Sequence, residues 1–138
     1  MRVSFMICCE YANRFMNGAP ALLGIFRSIQ VDSFPTTLDP FYLTMELEAE
    51  PHEYGPMVFL IRLIDEDGRA YFEAEMGMDF AKRENYGPSY GYFGEVLQAT
   101  RPIEKPGIYR IDLLHEGEVI GQTHIEVFKR DLDRDSND

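Results

Sequence analysis

A chain of 138 residues is one domain's worth of sequence, long enough to bury a core without disulfide staples. Hydrophobic residues make up 45% and charged residues 27%, which is the balance of a folded domain and not of a disordered chain. A formal net charge of -11 repels phosphate backbones and anionic lipid, so no nucleic acid and no membrane surface is expected as a partner.

The chain opens with Arg2 and an apolar run that Glu10 ends. The run is too short for the core of a signal peptide or a lipoprotein leader, and nothing later approaches membrane-spanning length. Cys8 and Cys9 are adjacent and are the only cysteines. In a strand they point to opposite faces, so they are expected as two free thiols, which suits a reducing cytoplasm.

Residues 3–11 are rich in β-branched and aromatic side chains and predict a first strand. Asn17-Gly18 suits a two-residue type I′ turn into a second strand over residues 22–29, with Pro20 at an edge or irregular position. Prolines 35 and 40 make residues 33–40 a connection. Residues 42–50 then alternate: Leu43, Met45, Leu47 and Ala49 face one way, and Thr44, Glu46, Glu48 and Glu50 the other. Residues 57–65 are nearly all apolar apart from Arg62, as in a central strand.

Asp65-Glu66-Asp67-Gly68 is a turn signal. The next strand, residues 69–78, is expected to turn Phe72, Ala74, Met76 and Met78 inward and Tyr71, Glu73 and Glu75 outward. Residues 79–94 break the pattern, with one helical turn expected over 81–85 and a Tyr/Gly-rich loop over 86–94. Strands follow at 93–99, 108–114 and 119–128, the last two joined by a turn over residues 115–118.

Strands recurring between short turns, without helical periodicity, predict an all-β fold. Gly107-Ile108-Tyr109 opens the penultimate strand, where a tyrosine corner would ask for Gly-x-Tyr. The expected architecture is an immunoglobulin-like antiparallel β-sandwich of about 7–9 strands. It fills residues 1–128, and residues 129–138 form a charged, flexible tail.

Two stretches belong together. Cys9-Glu10-Tyr11-Ala12 precedes the Asn-Gly turn and Leu22-Leu23-Gly24-Ile25-Phe26 follows it; later, Pro106-Gly107-Ile108-Tyr109-Arg110 leads to Glu116-Gly117-Glu118-Val119-Ile120-Gly121. The pattern resembles a prokaryotic family of small β-sandwich domains of unknown function. The resemblance runs from about Val3 to Phe128, and residues 79–93 depart from it. It implies the fold and a bacterial or phage source. It implies no activity, because that family offers no catalytic residues to carry over.

Residue chemistry points the same way. Asp65 to Gly68 lack the further oxygen ligands of a calcium loop. His52, His115 and His124 have no zinc-ligand spacing. Ser4, Ser28, Ser33 and Ser89 lack a nucleophile elbow. Cys8 and Cys9 sit in an apolar strand beside Glu10, a poor setting for a reactive thiolate. Glu46, Glu48 and Glu50, with Glu73 and Glu75 on a neighbouring strand and Arg62 between, read as a solvated acidic face.

No enzyme, cofactor or metal is therefore expected. The expected role is a non-enzymatic module that binds a protein partner or its own copies, with Tyr86, Tyr90, Tyr92 and Phe93 as the candidate contact loop. On that reading at least two of these rings are exposed; the alternative within the loop is that they fold down and cap the sandwich end. The alternative function is sugar or metal-ligand binding by the same loop and nearby carboxylates.

Overall fold

Alternating apolar residues with tight turns between them produce strands throughout. The computed structural model describes residues 1–82 and 87–131, and among them there is no helix. The strands are β1 (Arg2–Arg14), β2 (Pro20–Phe26), β3 (Ser28–Val31), β4 (Phe41–Ala49), β5 (Gly55–Ile64), β6 (Ala70–Phe80), β7 (Ser89–Leu97), β8 (Gly107–His115) and β9 (Glu118–Lys129). They form two sheets, ordered β2-β1-β4-β7 and β3-β9-β8-β5-β6. In immunoglobulin lettering, β1, β4 and β7 take the places of A, B and E, and β9, β8 and β5 those of G, F and C.

The core is the space between the sheets. Leu43, Met45 and Leu47 from β4 meet Phe59, Ile61 and Leu63 from β5 and Ile111 and Leu113 from β8, all buried. The alternation of β4 thus has the expected phase. Tyr109 at the head of β8 is buried, and its hydroxyl donates to the Lys105 carbonyl at 2.6 Å. This is the tyrosine corner: the phenol ties the start of β8 to the turn before it, so a buried hydroxyl keeps a partner.

Several local expectations need correction. The first hairpin does tip at Asn17-Gly18, but not as a type I′ turn. Phe15 N–H donates to Ala19 C=O at 2.8 Å and Gly18 N–H to Phe15 C=O at 2.9 Å, and in this loop Gly18 alone has positive φ (86°). That makes a three-residue loop closed by a left-handed glycine. The two-residue type I′ geometry falls at the last hairpin, where Glu116 and Gly117 both have positive φ (52° and 82°).

The stretch 22–29 is not one strand. β2 ends at Phe26, and β3 leaves for the other sheet, where it pairs with β9 in parallel, Ile29 opposite Val127. This pair is parallel because a chain that changes sheets can reach β9 without a hairpin.

Tyr71 points inward, against the alternation. Ile64 pairs with Ala70 and Leu63 with Phe72, so Tyr71 is the extra residue of a bulge. Its ring packs edge-on to Tyr109, centroids 5.4 Å apart. Toward the C-terminal end Lys129 belongs to β9, and Arg130 N–H donates to Val31 C=O at 2.8 Å. Residues 132–138, and the helical turn expected over 81–85 apart from its first two residues, lie outside the described residues.

Candidate functional site

Register decides which side chains share a face. Ile25 stands opposite Cys9, Cys9 opposite Tyr42, and Tyr42 opposite Val96. This row crosses all four strands of the first sheet. The adjacent row, Phe26, Cys8, Leu43 and Glu95, points toward the core side. The first row therefore lies on the outer face, and Tyr11, Leu23 and Tyr90 join it by the same alternation.

This outer face is apolar and open. Leu23, Ile25, Tyr90, Val96 and Tyr11 are 65, 58, 58, 49 and 47% exposed. Tyr42 is half-buried, its ring edge-on to Tyr11 with centroids 5.6 Å apart. Among the described residues the charges at the face are Glu46, the mutually paired Arg2 and Glu48, and Arg14, whose guanidinium lies over the Tyr92 ring. A chain of net charge -11 has thus left one sheet face with little charge. Aromatic enrichment and charge depletion are the compositional marks of an interface centre.

Beneath the rings the face is closed. Cys9 and Thr44 are fully buried; Thr44 Oγ1 donates to Ile7 C=O at 3.1 Å, and Cys9 Sγ lies 3.4 Å from Tyr11 C=O as its donor. Burial pushes the Cys8 thiol up to about 12, with the neighbouring Cys9 adding to it. Burial also raises Cys9, against the opposing hydrogen bonds of Thr44 and Tyr11. Both thiols are free and protonated at neutral pH, which removes them as nucleophiles.

A second cluster ties one end of the sandwich. Asp65 Oδ1 accepts from Arg69 N–H at 2.8 Å and Asp67 N–H at 2.9 Å, while Oδ2 accepts from the Tyr71 hydroxyl at 3.2 Å. Lys105 Nζ reaches Asp67 at 2.8 Å, and Ile108 N–H donates to Glu66 Oε1 at 3.2 Å. Burial alone would raise the Asp65 carboxyl; the donors of Arg69, Asp67 and Tyr71 outweigh it and hold it below the usual range. These acids serve the turn itself. Among the described residues no group of three or more His, Cys, Asp or Glu side chains is placed to hold a metal ion.

The family of unknown function DUF6941 matches residues 4–128. The chain belongs to that family. No curated protein sequence matches the chain. Among solved structures, an immunoglobulin-like protein from Pseudomonas aeruginosa is 13% identical with a TM-score of 0.41, covering 91% of this chain and 94% of its own. A β-glucosidase from Listeria innocua is 10% identical with a TM-score of 0.50, covering 86% of this DUF6941 chain. The DNA glycosylase AlkC from Pseudomonas fluorescens is 15% identical with a TM-score of 0.45, covering 74%. The chain spans 19% of the glucosidase and 28% of the glycosylase, so these likenesses concern the fold alone. No helix among the described residues is long and apolar enough to cross a membrane.

Three of the four candidate contact residues lie in a strand and not in a loop. Tyr90, Tyr92 and Phe93 belong to β7, paired opposite Glu48, Glu46 and Met45 of β4. Tyr86 lies outside the described residues. Glycines that read as loop punctuation serve close packing instead: a Cβ on Gly91 would run into Met78 Cε and come within 2.8 Å of Phe80 Cε1. Of the three described rings only Tyr90 is exposed. Phe93 packs against the core, and Tyr92 is half-buried under the Arg14 guanidinium, 4.3 Å from its ring centroid.

The acidic face also dissolves. Glu46 and Glu48 lie in the first sheet and Glu73 and Glu75 in the second. Arg62 bonds instead with Asp112 of β8 at 3.4 Å, and Arg110 reaches the same carboxylate at 2.8 Å. Sequence reading missed Tyr11, Leu23, Ile25 and Val96. A signal was present: the β1 run is apolar at successive positions, so its outer side is not a solvated one.

Proposed function

We propose that this domain is a non-enzymatic protein-binding or assembly module, and that it works through the outer face of the β2-β1-β4-β7 sheet. The observation that carries this reading is the row of exposed Leu23, Ile25, Tyr90 and Val96 around Tyr11 and Tyr42, with so little charge among them. A free monomer exposing such a surface risks aggregation, and a partner removes that cost. The surplus acidity lies elsewhere, which favours solubility and disfavours phosphate backbones and anionic lipid. Two buried free thiols support a reducing compartment, and we place the domain in the cytoplasm.

The test uses a photocrosslinking amino acid at position 25, in cells of the native host, against the same residue at position 126, exposed on the second sheet. Position 25 should give discrete adducts, to itself or to another protein, and position 126 none. The substitution pair Ile25→Ser with Tyr90→Ser should leave the melting temperature unchanged and remove those adducts. Equal labelling from both positions, or none from either, would sink the reading.

A further inference from the structure

Two sheets that pack face to face need rows that match, and the outer face of β2-β1-β4-β7 matches itself. Its midline runs between β1 and β4, with β2 and β7 on either side. In the row of Ile25, Cys9, Tyr42 and Val96, both outer positions are aliphatic and exposed. Nearer the start of β1, Arg2 stands opposite Glu48 of β4 and pairs with it across the same midline. Among the described residues the face holds two bases, Arg2 and Arg14, and two acids, Glu46 and Glu48. It is therefore neutral on a chain of net charge -11.

Neutrality and size both bear on the occupant. A basic partner would find no excess of acid here, and an acidic partner no excess of base. A second copy brings a face that is equally neutral and equally apolar. Four strands about 4.8 Å apart and about seven residues long, at about 3.3 Å each, give a flat footprint of roughly 450 Å². With the relief of the side chains, two such faces bury on the order of 1,000 Å² or more together, which reaches the size of a specific interface.

We infer that the domain dimerises with a second copy of itself through this face, about a twofold axis that runs along the strands between β1 and β4. The inference rests on the reading of this face as a contact surface and names its partner. Such an axis exchanges β1 with β4 and β2 with β7. Ile25 of one copy then meets Val96 of the other, and Arg2 of one copy comes beside Glu48 of the other. The rings of Tyr11 and Tyr42 fill the middle. The strands of the two copies stay nearly aligned, as in sheets packed within one sandwich. An axis across the strands would instead lay the Arg2 and Glu48 end over the apolar end that carries Leu23 and Tyr11, stripping those charges of water without new partners.

Sedimentation velocity of the purified chain over a range of concentrations should show a reversible monomer–dimer equilibrium. Ile25→Ser with Val96→Ser should keep the fold, as circular dichroism reads it, because both side chains are exposed. That pair should weaken the dimer by about tenfold or more. A charge exchange tests the axis. Arg2→Glu sets two acids beside each other between copies, and Glu48→Arg sets two bases, so each variant alone should dimerise less than the parent. An equimolar mixture of the two restores opposite charges at both places and should dimerise again, a rescue that damage to the fold would not give. If either charge variant does not fold, the Ile25 and Val96 pair still decides. A purified chain that stays monomeric overturns the inference. So does a dimer that the Ile25 and Val96 pair leaves intact, or a mixture of folded charge variants that dimerises no better than either alone. A monomeric chain whose position 25 still crosslinks to a different protein in cells removes the second copy and keeps the contact surface, whereas a monomeric chain without adducts removes both.

Discussion

Tyr109 and Asp65 show how single polar atoms are settled inside an apolar sandwich. Tyr109→Phe removes the 2.6 Å bond to Lys105 C=O and leaves that carbonyl without its phenol partner. Urea denaturation should report a loss of about 1 kcal/mol or somewhat more. Burial, with the nearby Tyr71 and Asp65, pushes the Tyr109 phenol up to about 12. A raised folded value means its stabilisation is whole below the ordinary tyrosine range and is lost as pH rises through about 12. Asp65 works at the other end of the scale, its carboxyl held low by the donors that outweigh burial. Its contribution is complete above the ordinary carboxylate range and fades as pH falls through the depressed folded value. Asp65→Ala should cost roughly 2–4 kcal/mol at neutral pH, and the variant should lose less stability than the parent on acidification to about pH 3. Urea midpoints at the two pH values check both statements. The thiols supply a kinetic counterpart. Burial keeps Cys8 and Cys9 protonated and covered, so an alkylating reagent should label the native chain slowly and reach both cysteines once it is denatured. Rapid labelling of the native protein would contradict the packing described for β1.

The strands that were legible in the sequence are those whose two faces differ. β4 alternates between Leu43, Met45 and Leu47 on one side and Glu46 and Glu48 on the other, and its burial follows that alternation. β8 and β9 were legible through Tyr109 and a two-residue turn. β7 was legible only from residue 93, because Gly91 looks like punctuation until the side chains that crowd it are known. Nor was the exit of β3, since four residues carry no mark of which sheet will take them. Tyr71 was misplaced by a bulge that only pairing reveals. The candidate site followed these errors: rings assigned to one loop divide between the two faces of β7. A direct check on this element is Gly91→Leu. The added side chain meets Met78 and Phe80, so overpacking should cost about 1–3 kcal/mol. A true loop glycine with negative φ would accept the change within about 0.5 kcal/mol.

Across the whole molecule the two sheets have different duties. The second sheet holds the tyrosine corner, the Asp65 turn and the Asp112 carboxylate between Arg62 and Arg110. The first carries the apolar outer face, and β7 is its last strand among the described residues. If the outer face is the contact surface proposed above, fastening and contact lie in opposite layers, and substitutions on that face should change association without loosening the fold. The passage of β3 to the second sheet links the layers. β3 and β9 run side by side in the same direction, joined from Ser28–Glu126 to Val31–Lys129. A tension drawn backward on the start of β3 and forward on the end of β9 would slide one strand along the other. It would not peel them apart rung by rung. Sliding strains every bond of the pair together, so this short strand is a mechanical latch that resists pulling far better than its length suggests.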